Sequence, residues 1–120
     1  MITSMSLRQA AATIVIASTL IAGCGAKTPE ALLTSAKQYL AKDDNKAAMI
    51  ELRNALQKNP NFAEARFLLG KALLASDDVI TAEKELRKAH ELNYPADEVV
   101  PLIARALATL GQFRKVLDDY

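Results

Sequence analysis

Residues 30–61, slid forward by thirty-four positions onto 64–95, agree in thirteen of 32 columns. The identities are Glu30/Glu64, Ala31/Ala65, Lys37/Lys71, Leu40/Leu74, Ala41/Ala75, Asp43/Asp77, Asp44/Asp78, Ala48/Ala82, Glu51/Glu85, Leu52/Leu86, Arg53/Arg87, Ala55/Ala89 and Asn59/Asn93. A third copy begins in frame, where Glu98, Leu102, Ala106 and Leu107 repeat Glu64, Leu68, Ala72 and Leu73. Composition bias alone does not keep such a register. A chain that repeats at this interval builds one supersecondary unit per copy, and each unit buries its apolar face on the next.

The units read as helical. Apolar residues make up 51% of the chain and aromatics only 5%, so Ala and Leu carry the hydrophobicity, which favours closely packed helices over sheets. "KDDN" at 42–45 and "SDD" at 76–78 break the pattern between helices. The signals predict helices near 29–42, 46–58, 62–75, 79–92 and 98–110, with a sixth starting at Phe113. Thr28-Pro29 reads as an N-cap followed by proline at the first helical position, and Asn61 with Glu64 as a capping-box variant. Pro101 then falls in the first turn of the fifth helix, where its missing N–H matters least.

Thirty-four residues is the period of the tetratricopeptide repeat (TPR), a helix–turn–helix unit, and Pro29 to Tyr120 resembles that family. Leu69-Gly70 sits where the family has its Leu-Gly pair, with Ala82, Leu86 and Ala89 at the inter-helix packing positions. Ala36, Tyr39, Ala48, Leu52, Ala55 and Pro60 match in the first copy, and Ala104, Leu107, Gly111 and Phe113 in the third. Leu32, Arg66 and Val100 depart from the family's Trp, Val116 departs from its Ala, and the second unit closes one residue late, at Tyr94-Pro95. The resemblance implies an all-α TPR helix-turn-helix solenoid over 29–120, preceded by a signal helix. Two full repeats, 29–62 and 63–96, are followed by a truncated third, 97–120. It also implies small residues at Ala36, Gly70 and Ala104, where the two helices of a unit cross. About three units are needed for a stable array, so the C-terminal turn with Leu110, Phe113, Val116 and Leu117 is expected to fray.

Ahead of the repeats, "MITSMSLRQ" carries the single charge Arg8, and residues 10–22, "AAATIVIASTLIA", carry none. Thirteen such residues make a helix of ~20 Å, short of the ~30 Å hydrocarbon core, so a secretory signal over 1–23 is favoured over a membrane span. Ile21-Ala22-Gly23-Cys24 resembles the bacterial lipobox. That resemblance implies diacylglyceryl attachment to the Cys24 thiol, cleavage after Gly23, and a tether over 24–28. Gly25 follows in place of the Asp that retains such lipoproteins at the inner membrane, which by the same resemblance tilts sorting toward the outer membrane. Cys24 has no activating neighbour in sequence, so catalysis by its thiol is disfavoured. No cofactor is expected beyond a covalent lipid on Cys24.

"AAMIELRNALQKNPNFAEARFLLGKALL", "AEKELRKAHELNYPADEVVPLIARAL" and "GQFRKVLDDY" are similar to the start of the exosortase-associated (PEP-CTERM system) TPR-repeat lipoproteins. The likeness spans nearly the whole chain. It implies a non-enzymatic, membrane-anchored scaffold in a Gram-negative exopolysaccharide system, facing the periplasm. Two other readings stay open: a TPR lipoprotein for outer-membrane protein or pilus assembly, and the N-terminal targeting module of a larger protein.

Fifteen basic and 14 acidic side chains exclude an electrostatic footprint for nucleic acid, and a lone Cys with a lone His excludes a disulfide framework or zinc cluster. No phosphate loop, nucleophile elbow or HExxH motif is present, so no catalytic, metal or small-molecule site is expected. His90 reads as a solvated or packing histidine, and the pairs Asp43-Asp44 and Asp77-Asp78 read as turn residues. In a TPR solenoid the first helix of each unit lines the concave face. The inward positions here are Glu30, Leu33, Lys37, Leu40 and Ala41; Glu64, Phe67, Lys71, Leu74 and Ala75; and Glu98, Pro101, Arg105, Ala108 and Thr109. Stacking would make an acidic row (Glu30, Glu64, Glu98) and a basic row (Lys37, Lys71, Arg105) flanking an apolar strip, suited to a peptide of a protein partner.

Overall fold

The computed structural model describes residues 25–119, so the signal and lipid expectations on 1–24 lie outside the described residues. Six helices follow one another without a strand among those residues: α1 (Pro29–Leu40), α2 (Asn45–Lys58), α3 (Ala63–Ala75), α4 (Val79–Glu91), α5 (Ala96–Thr109) and α6 (Phe113–Asp119). Each helix packs chiefly on the one before and the one after, with an added contact between α3 and α5. The result is the helix-turn-helix solenoid that the thirty-four-residue period predicts. None of these helices is long and apolar enough to cross a membrane.

The turns inside the units repeat with the sequence. Asp43 and Asp77 take left-handed backbone (φ 57° and 63°), and Gly111 stands in the same column with φ 70°. The preceding helix closes identically each time. Asp44 N–H donates to the Tyr39 carbonyl at 3.0 Å, Asp78 N–H to Leu73 at 3.0 Å and Gln112 N–H to Leu107 at 2.8 Å. These bonds satisfy carbonyls that a helix end leaves open. The second aspartate of each pair then starts the next helix: Asp44 Oδ1 accepts from Ala47 N–H and Asp78 Oδ1 from Thr81 N–H. One aspartate tolerates the left-handed turn while its neighbour caps, which is why the pair recurs.

Two local expectations are corrected. Asn61 does not cap α3: the helix begins one residue later, Phe62 stands at the cap without a side-chain bond, and Asn61 N–H instead donates to Asn59 Oδ1 at 3.2 Å in a tight turn. Pro101 is not in the first turn of α5, because that helix starts at Ala96. The ring therefore sits in the second turn, on the exposed side, where the carbonyl left without a donor (Asp97) can reach water. At α1 the expectation holds, with Thr28 Oγ1 accepting from Ala31 N–H and Pro29 opening the helix.

The core falls into two clusters, one per unit boundary. The first joins Leu33, Ala36, Leu52 and Leu56 to Ala65, Leu69, Leu73 and Ala82. The second joins Phe67, Leu86 and Ala89 to Val99, Ile103 and Leu107. Leu33/Phe67, Ala65/Val99, Leu69/Ile103, Leu73/Leu107 and Leu52/Leu86 are all thirty-four residues apart, so the two interfaces are the same interface built twice. Leu68 and Leu74 pack against both. Gly70 marks a close crossing, since a Cβ placed there would stand 2.6 Å from Leu86 Cγ. At the far end α6 buries no residue; Phe113 is 64% exposed and Leu117 83%.

Candidate functional site

The fifteen concave positions come from the odd-numbered helices and, for Ala41, from the residue that closes α1, and their side chains divide by depth. Glu30, Lys37, Lys71, Glu98 and Arg105 are exposed, and Glu64, Leu40 and Leu74 half-buried. Ala41, Ala75, Pro101 and Thr109 also face solvent. Leu33 and Phe67 do not form an open apolar strip, being only 6% and 4% exposed. Both point into the following unit, Leu33 joining the cluster of Ala65 and Leu69, and Phe67 that of Val99 and Ile103. Apolar burial against the next helix outweighs display to solvent, because a fully buried Leu or Phe gains roughly 1.5–3 kcal/mol. The accessible apolar floor is thus reduced to the half-buried Leu40, Leu74 and Ala108 with the small exposed side chains of Ala41, Ala75 and Pro101.

The two charged rows are not parallel and separate either. Lys37 of the first unit forms an ion pair with Glu64 of the second. At this boundary stacking sets the basic position of one unit against the acidic position of the next. Both side chains stay well exposed (50% and 38%), so the pair contributes at most ~1 kcal/mol and neutralises that stretch of the face.

One boundary further on, the arrangement changes. The Phe67 and Tyr94 rings stack with centroids 4.2 Å apart and planes 18° from parallel. The Lys71 ammonium lies over the Phe67 ring, 5.4 Å from its centroid, and the Tyr94 hydroxyl hydrogen-bonds Glu98 Oε2 at 3.4 Å. Burial raises the Tyr94 pKa above its ordinary value, aided by the negative charges of Glu98 and Glu64 and by the bond to Glu98. Each factor favours the neutral phenol. Lys71, Phe67, Tyr94 and Glu98 form one continuous polar-aromatic cluster, with Glu64 near enough for its charge to bear on the phenol.

Tyr94 is the residue that concave-position reasoning omits. It stands thirty-four residues after Pro60, in the loop between α4 and α5, outside any first helix. The signal for it was the late closure at Tyr94-Pro95, which replaces a proline by an aromatic at the unit boundary. Asp43, Asp44, Asp77 and Asp78 are turn and cap residues, as their spacing suggested. His90 is half-buried in the last turn of α4, where its carbonyl accepts from Asn93 N–H at 2.9 Å.

A family model described as tetratricopeptide repeat matches residues 29–72, which cover the first unit and most of α3. No curated protein matches the chain. Sequence period, matched family model and six-helix architecture agree on a TPR solenoid, a fold whose repeats generally mediate protein–protein contacts and are typically non-catalytic.

Proposed function

We propose that this chain is a lipid-anchored TPR scaffold that presents its concave face to a protein partner at the cell envelope of a Gram-negative bacterium. Within that envelope it serves an exosortase/PEP-CTERM, exopolysaccharide-associated system. The scaffold reading rests most on one observation: the odd-numbered helices carry an exposed surface whose charges are in part unneutralised between units. Lys37 and Glu64 cancel, whereas Arg105 stands exposed beyond the Lys71–Phe67–Tyr94–Glu98 cluster. An acidic or aromatic peptide segment fits that second boundary, since Lys71 and Arg105 stand one thirty-four-residue repeat apart, at the same position of successive first helices.

The anchor and the pathway rest on the sequence: Ile21-Ala22-Gly23-Cys24 supports lipid attachment at Cys24, and "YPADEVVPLIARAL" supports the exosortase association. The protein is held facing the periplasm, with the outer membrane favoured by Gly25. Two or more acyl chains give stable anchoring where one gives only transient binding. Radiolabelled palmitate fed to a Gram-negative host tests the anchor. The parent chain is expected to carry label and Cys24→Ala to carry none; an unlabelled parent overturns the anchoring. Co-purification with exopolysaccharide-assembly proteins, lost on reversing charge at Lys71 and Arg105, tests the scaffold.

A further inference from the structure

The thirty-four-residue register allows each position to be compared with its counterpart one unit on. In the second unit, Arg66 lays its guanidinium across from α3 to α4. Its Nη1 donates to Glu85 Oε2 at 2.7 Å, while Nε and Nη2 donate to the Pro60 carbonyl at 3.2 and 3.0 Å. The counterpart of Glu85 is Glu51, but the counterpart of Arg66 is Leu32, which offers no cation. Glu51 is nevertheless half-buried like its twin, its side chain 17% exposed against 19% for Glu85. Its Oε2 has no hydrogen-bond partner among the described residues. Among the described residues its Oε1 meets the Lys27 ammonium, at 3.8 Å, from a lysine side chain that is 60% exposed.

A recess of about 300 Å³ opens beside this carboxylate, lined by Lys27, Leu32, Glu51, Asn54, Gln57 and Lys58. Asn54 and Gln57 stand where the second unit has Lys88 and Glu91, which pair with each other at 3.1 Å. The first unit therefore keeps the acid, gains room, and lacks both the guanidinium and the ion pair found one repeat later.

We propose that this recess binds an arginine side chain presented by a partner polypeptide. Glu51 supplies the anion, Leu32 the apolar wall for the arginine methylenes, and Asn54 and Gln57 amide oxygens for the remaining N–H groups. The second unit sets the occupant's chemistry, because the same carboxylate at the same register there takes a guanidinium. An ammonium serves less well: Lys27 already approaches and still leaves the enclosed Oε2 unmet, whereas a planar fork of five donors engages both oxygens once the carboxylate turns toward the recess. Lys27 and Lys58 repel an incoming cation, so Lys27 swings out on binding, as its exposure allows, and affinity stays modest. None of the lining residues belongs to the concave set, so this site stands apart from the groove.

N-acetyl-arginine-N-methylamide titrated into the full 120-residue chain in detergent micelles tests the site, read by NMR shifts of the Asn54 and Gln57 side-chain amides. Saturable shifts are expected in the millimolar range, several-fold weaker with the capped lysine analogue. Lys27→Ala should tighten binding several-fold, and Glu51→Gln should weaken it at least tenfold, as loss of a charge-assisted bond to a buried acceptor implies. Leu32→Arg should abolish it, because the new side chain fills the recess as Arg66 fills its own. Absence of saturable shifts in Lys27→Ala, or unchanged affinity in a helical Glu51→Gln, overturns the proposal. Should Glu51→Gln fail to fold, retained binding in Leu32→Arg overturns it alone.

Discussion

Replacing Gly70 by Ala sets two known effects against each other inside one crossing. Alanine in a helix interior gains about 1 kcal/mol over glycine. Here the added methyl would lie 2.6 Å from Leu86 Cγ, 2.7 Å from Cδ2 and 3.4 Å from the Ala82 carbonyl oxygen. Carbon atoms rest at roughly 3.5–4.0 Å, so Leu86 must retreat by about 1 Å. It cannot do so freely, being fully buried among Phe67, Ala89, Val99, Ile103 and Leu107. Overpacking of this kind costs about 1–3 kcal/mol, which leaves Gly70→Ala destabilised by about 1 kcal/mol net. For a domain of this size that lowers Tm by roughly 4–8 °C. Urea and thermal unfolding followed by circular dichroism at 222 nm measure it. Ala36→Gly, in the same column of the first unit, gives the control. Its methyl is already accommodated, so the change should cost about 1–2 kcal/mol from lost propensity and burial together. Leu86→Ala alone should cost about 2–5 kcal/mol, and combined with Gly70→Ala it should show favourable coupling of at least ~1 kcal/mol, since the methyl then enters vacated space. A Gly70→Ala protein stabilised by about 1 kcal/mol, or strictly additive double mutants, would refute the close-crossing argument.

Because the fold raises the Tyr94 pKa, its contribution is present below the unfolded value of about 10 and is lost as pH rises through the higher folded value. Unfolding midpoints should therefore fall more steeply above pH 10 in the parent than in Tyr94→Phe; matching curves would sink the assignment. The pair Lys37–Glu64 should show a coupling below ~1 kcal/mol in a Lys37→Met/Glu64→Gln cycle, shrinking as salt is raised. Amide exchange should be fastest in α6, where Phe113 and Leu117 are largely solvated, and full protection at Val116 and Leu117 in a monomer would contradict this.

The solenoid was legible because its causes are local and written repeatedly. Two copies of Asp-Asp state where the chain turns, and alanines at 48, 55, 82 and 89 state which faces meet, with all four fully buried. What stayed hidden depends on the offset between units. Lys37 and Lys71 are identical in sequence, yet one reaches Glu64 and the other covers the Phe67 ring. The difference arises at Tyr94, whose ring fills the second boundary and whose hydroxyl engages Glu98. A periodic reading assigns equal roles to equal columns, so it places Leu33 and Phe67 on an open floor although stacking covers them. The start of α5 departs from the expected one for a simpler reason: Pro101 suggests a helix beginning, but the acidic first turn at Asp97-Glu98 lies ahead of it.

Leu68 and Leu74, shared by both core clusters, make the middle unit a keystone. Neither boundary can loosen without disturbing side chains that also serve the other, so the array is expected to melt as one cooperative block, with only α6 leaving early. Leu74 is also half-open to the concave surface. An occupant pressing on that single leucine braces both seams at once, and its grip is felt along the whole array without any unit changing shape.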